Sequence, residues 1–342
     1  MKSELNLFKW ITFLVLLVPS LSAARDIPAW IEGEPERYPN NLYITASGAA
    51  SDFELAKDRA LANLSKIFEA HISEVSTAKS DTYVSLHNMK ENVAKSQRLA
   101  QLVRVSTDKI IQGAQIAKLW KDDQLAIYYA LAVLDRKQAR NNIMDEITRI
   151  DDETIDTLNA VKYSNKPLQR IAMLNEVISE QTNRKSLNDM LKVINLHGRG
   201  YSSEWQISDL QRQLEHELSL LKISSVLAET TDNDKLDKKL VDLLESSMAN
   251  SGFPAVDGGD YQLVINLGVQ DIGLKQGWYW MRGKLSIKLV EVHDKVRRQE
   301  EWLLKVSALE KDNTHSRLMT QVSKRLNSDL KTFVISAVTY EF

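Results

Sequence analysis

Cysteine is absent from all 342 residues. That excludes a disulfide framework, thiolate zinc sites and thiol catalysis. It also removes the residue on which a bacterial lipoprotein carries its acyl chains. Proline is scarce at 6, four of them before residue 40, and glycine stands at 12, so the middle of the chain has room for long unbroken helices. No excess of one charge exists either. Lys plus Arg (44) nearly balances Asp plus Glu (46), so no field builds up that would gather nucleic acid, and a nucleic-acid partner is not expected.

Sequence motifs for chemistry are missing as well. There is no G-x-S-x-G elbow, and the stretch Ser47-Gly48-Ala49-Ala50-Ser51, although it opens a helix, lacks the glycines and lysine of a phosphate loop. Six histidines are scattered at 71, 87, 197, 216, 293 and 315. His216-Glu217 begins like a zinc-protease helix, but the second histidine position is Leu220, so no metal pair forms. Asp122-Asp123 sits in an expected hairpin turn and Asp151-Asp152 on an expected polar helix face, both read as solvated. No catalytic, cofactor or metal residues are assigned.

What is present begins with a leader. Lys2 and Lys9 precede an apolar run from Trp10 to Val18, Pro19 breaks it, and Ser22 and Ala24 fit the small-x-small rule. The run is too short for a bilayer span, which needs roughly 20 apolar residues. The expectation is a signal peptide over 1–24, cleaved between Ala24 and Arg25, with a periplasmic mature protein that keeps neither a membrane insertion nor a lipid anchor.

Residues 25–40 hold three prolines and read as an extended lead-in whose Trp30 and Ile31 pack onto the first domain. A strand follows from Asn41 to Ala46, with Gly48 as its exit. Ser51 and Glu54 form a capping box for a helix with an apolar stripe of Phe53, Ala56, Ala60, Leu64, Ile67 and Phe68. Beyond residue 70, Ile72, Val75, Ser76 and Val84 suit an irregular strand, and 88–102 a polar helix. Ile110–Trp120 and Leu125–Leu134 read as a hairpin turning at Lys121-Asp122-Asp123, and Asp135 caps the next helix.

From Arg136 to Leu220 the period is helical. One stripe holds Ile143, Ile147, Ile150, Leu158 and Val161, and a second starts after Pro167. Leu187, Leu191 and Ile194 form a further short helix, and Ser203-x-x-Gln206 is a second capping box. After that the class changes again. Lys222–Ala228, a helix over Leu236–Ser251 closed by Gly252, strands at Tyr261–Val269, Trp278–Val292 and Trp302–Ala308, and a helix from Thr314 give the order βαβββα, read as an antiparallel sheet with helices on one face. The fold class is α+β, in two small α+β domains over 25–148 and 221–342 joined by a helical segment over 149–220.

"PAWI" at 28–31, "YITASGAA" at 43–50, "AKDRALANLSKI" from Ala56 and the hairpin "IAKLWKDDQLAIYYALAVLD" resemble the Lpp-twenty lipoprotein family over residues 27–148. The same stretch is similar to the N-terminal domain of the flagellar assembly protein FlgT. "SGFPAVDGGDYQLVINLGV" and "GKLSIKLVEV" resemble the sheet domain shared by the TolB N-terminus, the CsgG family and the middle of FlgT. These resemblances imply a non-enzymatic envelope protein that acts in assembly, with flagellar or outer-membrane proteins as partners and self-association open. One departure is plain: family lipoproteins are anchored through an N-terminal cysteine, where Ala24-Arg25 stands here. An exported hydrolase with a site between domains and a lipid or ligand carrier are the competing readings. The local feature that most invites a partner is Trp278-Tyr279-Trp280, which on a strand must serve both faces.

Overall fold

The computed structural model describes residues 27–33, 35–80, 113–228, 234–291 and 295–338. The leader, its cleavage site at Ala24 and Arg25, Val84 and the polar helix anticipated at 88–102 lie outside them.

After a short helical turn α1 (Ala29–Glu32), strand β1 runs Tyr43–Ala50 and helix α2 Phe53–Ser80. Gly48 is thus inside the strand, opposite Ala130, and not at its exit. The reason is contact: a Cβ there would lie 2.3 Å from the Ala60 amide nitrogen and 2.5 Å from the Ala56 carbonyl oxygen. The strand keeps a hydrogen where the helix backbone crosses it. The cap is Asp52, one residue beyond Ser51, with its Oδ1 accepting from the Leu55 amide at 2.8 Å, while Glu54 goes to Lys57 at 2.7 Å. No capping box forms. With neither glycine nor proline between 49 and 80, α2 also runs through Ile72, Val75 and Ser76, where a strand was anticipated; β-branched residues lower helix propensity without ending a helix. Its buried stripe narrows to Ala56, Ala60, Leu64 and Phe68, and Phe53 instead meets the Tyr128 ring edge-on at 4.6 Å.

Strands β2 (Gln115–Asp122) and β3 (Ile127–Asp135) complete an antiparallel sheet ordered β1-β3-β2. The turn starts two residues later than read, over 123–126. Buried Asp122 accepts from the Gln124 and Leu125 amides at 2.9 and 3.0 Å, and Ala126 takes φ 52°. Central β3 is covered on both faces: Ala130, Ala132 and Leu134 face the α2 core, while Leu131 and Val133 pack with Trp30 and Ile31. The open edge of β1 is occupied by its own helix. Arg59 donates to the Ala49 carbonyl at 2.6 Å and Asn63 to the Ser47 carbonyl at 2.9 Å, which blunts the strand against stray pairing.

Asp135 caps α3 (Arg136–Tyr163), accepting from the Gln138 amide at 2.9 Å. Pro167, at the first turn where a missing N–H costs nothing, opens α4 (Pro167–Ile194), and α5 (Ile207–Ser219) follows. Leu187, Leu191 and Ile194 continue α4 and form no separate helix, since no breaker intervenes. Ser203 is not a cap: its hydroxyl accepts from the Trp205 amide and donates to Gln181, and α5 starts after Gln206. Ile143, Ile147, Ile150, Leu187, Met190, Leu191 and Ile194 lie in the core beneath the first sheet. The opposite ends of the same helices, Val161, Leu168, Ile171 and Leu174, lie in the core beneath the second. The 148/149 division therefore falls inside α3, and 220/221 falls between α5 and the next strand. Arg136 ties this region together, donating to the Val193 and Ile194 carbonyls at 3.1 and 2.7 Å and to the Asn40 carbonyl at 2.8 Å.

The second sheet comprises β4 (Ile223–Leu227), β5 (Tyr261–Lys275), β6 (Trp278–Glu291) and β7 (Lys295–Ala308), in that spatial order. It is mixed and not purely antiparallel. Helix α6 (Asp234–Asn250) carries the chain back over the sheet, so β4 and β5 run parallel, as a crossover connection requires. Tyr261, Leu263, Ile265 and Leu267 of β5 and Met281, Leu285, Ile287 and Leu289 of β6 alternate into the core, under α6 and α7 (Lys311–Ile335). The described residues thus have the α+β class read from the sequence.

Candidate interaction surface

Gln276 and Gly277, at φ 54° and 78°, make the two-residue turn joining β5 to β6. Two left-handed residues in succession match the twist of a hairpin, and Lys275 faces Trp278 directly across it. The aromatic triplet therefore starts at a hairpin tip. Alternation then separates its members. Tyr279 lies opposite Ala308, on the side of the sheet that buries Met281. Trp280 lies opposite Ser307 on the other side, with the Lys305 ammonium 4.5 Å from its ring centre. Trp278, 39% exposed, closes one end of a groove of about 370 Å³ shared with Leu309, Asn313 and Arg317. The three rings make no single patch; one lines a groove beside α7 and another stands on the uncovered sheet face.

The groove is framed by polar contacts. Arg317 donates to the Ser307 carbonyl at 2.6 Å. Asp271 pairs with Lys311 at 3.0 Å and accepts from the Gly273 amide at 2.8 Å across a bulge. The Lys311 hydrogen bond, followed by the Gly273 amide, holds the Asp271 carboxyl below its ordinary value; the same bond raises Lys311. Ser316 and Thr320 of α7 continue into a second groove, of about 390 Å³, with Lys239, Leu243 and Lys324. The first groove offers an indole, hydroxyls, an amide, Glu310 and Arg317, and the second adds Lys239 and Lys324.

At the far end of the sheet, Tyr261, Glu291 and Arg297 line a smaller cavity of about 60 Å³ against Lys166 and Leu168. Arg297 forms a salt bridge with Glu291. Burial, then the Glu291 charge, pushes the Tyr261 phenol above its ordinary 10.0. A folded state that holds this proton longer than the unfolded chain loses stability as pH climbs past 10. Tyr261→Phe is expected to flatten the alkaline limb of a urea-unfolding series between about pH 9 and pH 11; an unchanged slope would remove Tyr261 as its source.

Of the carboxylates read as solvated, Asp122 is instead buried, held by the Gln124 and Leu125 amides of its turn. Asp123 is exposed and pairs with Lys121 at 2.8 Å. Asp151 departs from its reading as a solvated charge: Arg184, whose side chain is 3% exposed, grips it at 2.6 and 2.9 Å. Gln181 reaches the same carboxylate at 3.3 Å and Thr154 at 2.9 Å. Arg184 also donates to the Ser202 carbonyl at 2.9 Å. Helix register brings these residues together across α3 and α4, a pairing that local spacing does not reveal. Among the described residues no three histidine or acidic side chains cluster as a metal site, and no helix is long and apolar enough to cross a membrane.

Residues 28–135 match the family model described as LPP20 lipoprotein. No curated protein matches the chain. Among solved structures, the secreted protein HP1454 of Helicobacter pylori is similar at 12% identity and a TM-score of 0.45, covering 87% of this chain and 99% of that one. A putative lipoprotein from Caulobacter crescentus aligns at 18% identity and a TM-score of 0.26, over 35% of this chain and 93% of its own. A minor lipoprotein from Acinetobacter baumannii aligns at 13% and 0.25, over 32% and 92%.

Proposed function

We propose that this is an exported protein of the bacterial cell envelope that works without catalysis, by holding another envelope component in place. The observation that carries the reading is the match of residues 28–135 to the LPP20 lipoprotein family. The leader over 1–24 supports export, with cleavage between Ala24 and Arg25, and the absence of cysteine supports a periplasmic protein that is not acylated. In its narrower form the proposal makes the partner part of a flagellar or outer-membrane complex, on the resemblances to FlgT, TolB and CsgG drawn from the sequence.

The partner docks at the hairpin tip and along α7. Trp278 is the anchor, as buried tryptophans are at interfaces, and Lys239 and Lys324 select a segment bearing carboxylates. Crosslinking in intact cells, followed by fractionation and mass spectrometry, tests this. A mature protein with no envelope partner in any crosslink ends the proposal. Trp278→Ala is expected to weaken partner capture roughly tenfold or more, the loss of an interface anchor, whereas Trp280→Ala, which does not line the groove, leaves it unchanged. Equal effects of the two would move the site away from the groove.

A further inference from the structure

Strand β7 is the outermost strand of the second sheet and pairs with β6 alone. Protein edges of this length are normally blunted by charge, a bulge or a covering element. Along β7 the charges in mid-strand are Glu300, Glu301 and Lys305, of which Glu301 pairs with Lys284 of β6 at 2.9 Å, and the backbone devices stand at its ends. A bulge near Leu289/Val290 sits with Arg297 and Arg298 at one end, and Arg317 occupies the Ser307 carbonyl at the other. Between them lies Leu303, 85% exposed, the most exposed large apolar side chain among the described residues. Its neighbours on the same uncovered face are Glu301 and Lys305, which lie opposite Ser286 and Arg282 of β6. On the helix-covered face, Trp302 and Val306 are buried.

We propose that β7 is a self-association edge that pairs antiparallel with β7 of a second copy of this chain, about a two-fold axis through Leu303. The stretch Glu301-Trp302-Leu303-Leu304-Lys305 is complementary to itself when reversed. Leu303 meets Leu303 of the second copy, Glu301 meets its Lys305 and Lys305 its Glu301, while Trp302 meets its Leu304. Direct cross-strand neighbours have Cβ atoms about 4.5–5.5 Å apart, close enough for each pair to interact. Sliding the copies by two residues sets a charge opposite leucine. Sliding by four sets Glu301 or Lys305 against itself. An odd slide would bring the covered face of one copy onto the open face of the other. One register therefore satisfies both the charges and the faces. The four-stranded sheet becomes one continuous sheet across the axis, with the helices of both copies on the same side, the isologous geometry of a closed dimer. This contact is separate from the Trp278 groove and stands whether or not that groove binds a partner.

Because the chain has no cysteine, single replacements give a clean test of register. Leu303→Cys is expected to crosslink to itself under oxidation or with a short bis-thiol reagent. Glu301→Cys and Lys305→Cys are each expected to stay uncrosslinked alone and to crosslink when mixed. Charge supplies an independent arm. Sedimentation of the unaltered chain is expected to give a dimer, and Glu301→Lys and Lys305→Glu are each expected to weaken self-association at least tenfold while circular dichroism stays native. Mixed together, those two variants regain the dimer, since each then faces its opposite. An unaltered chain that is monomeric up to roughly 0.1 mM, where even weak interfaces populate, overturns the proposal. So does a dimer that ignores both charge variants, or failure of the mixed cysteine pair to crosslink.

Discussion

Gly48→Val is expected to break the first sheet from its helix, at a cost of about 3 kcal/mol or more. A bare Cβ at this position already falls 2.3, 2.5 and 2.8 Å from backbone atoms of Ala60, Ala56 and Arg59. None of these atoms can rotate away, so relief requires moving α2 bodily off β1. That movement would uncover Leu64 and Phe68, both wholly buried, and would pull Arg59 and Asn63 from the carbonyls they occupy. Against a total stability of about 5–15 kcal/mol for ordinary domains, the loss is large. Thermal unfolding should shift down by roughly 6–12 °C. Gly268→Ala serves as the control, because a Cβ there would meet nothing closer than 3.9 Å. If both variants melt together, close approach is not what Gly48 provides.

The second large effect is expected at Asp151. Removing its carboxylate with Asp151→Ala leaves the Arg184 guanidinium, 3% exposed, with a buried charge and no acid against it. Such uncompensated charges cost about 3–5 kcal/mol. The damage is also local. Arg184 holds the Ser202 carbonyl, and Asn188 accepts from the Tyr201 amide at 2.5 Å, so the loop at 197–206 depends on this corner. Limited proteolysis of Asp151→Ala is expected to cut first within that loop. Adding Arg184→Met should recover part of the loss, since replacing a whole buried pair by apolar side chains is often close to neutral. A double variant as unstable as the sum of the two singles would show that the charges are not coupled.

Much of this architecture was legible from spacing alone. Asp135 before a polar helix announces its cap, and the alternation from Tyr261 to Leu267 fixes which face of β5 is buried. What spacing could not supply was information held by distant residues. Whether Ser51 or Asp52 caps α2 depends on where β1 lets go of β3, which Gly48 decides through a helix eight and twelve residues downstream. Asp151 looks solvated beside Asp152 because its partner stands 33 residues away. The parallel pairing of β4 and β5 follows from α6 crossing the sheet, which an order of elements does not by itself specify. At the surface, Trp278-Tyr279-Trp280 was visible as a cluster, but the hairpin tip sends its rings to different places. The Leu303 edge went unread because a lone exposed leucine is ordinary in sequence and becomes informative only on an outer strand.

The helices α3 and α4 have one end in each core, and this has a consequence for how the chain is made. Synthesis is vectorial, and Val161, Leu168, Ile171 and Leu174 emerge long before the strands that cover them, which begin at Ile223 and end at Ala308. For that interval a helical hairpin some 42 Å long is anchored at one end and sticky at the other. Early fragments are therefore natural clients for a holding chaperone.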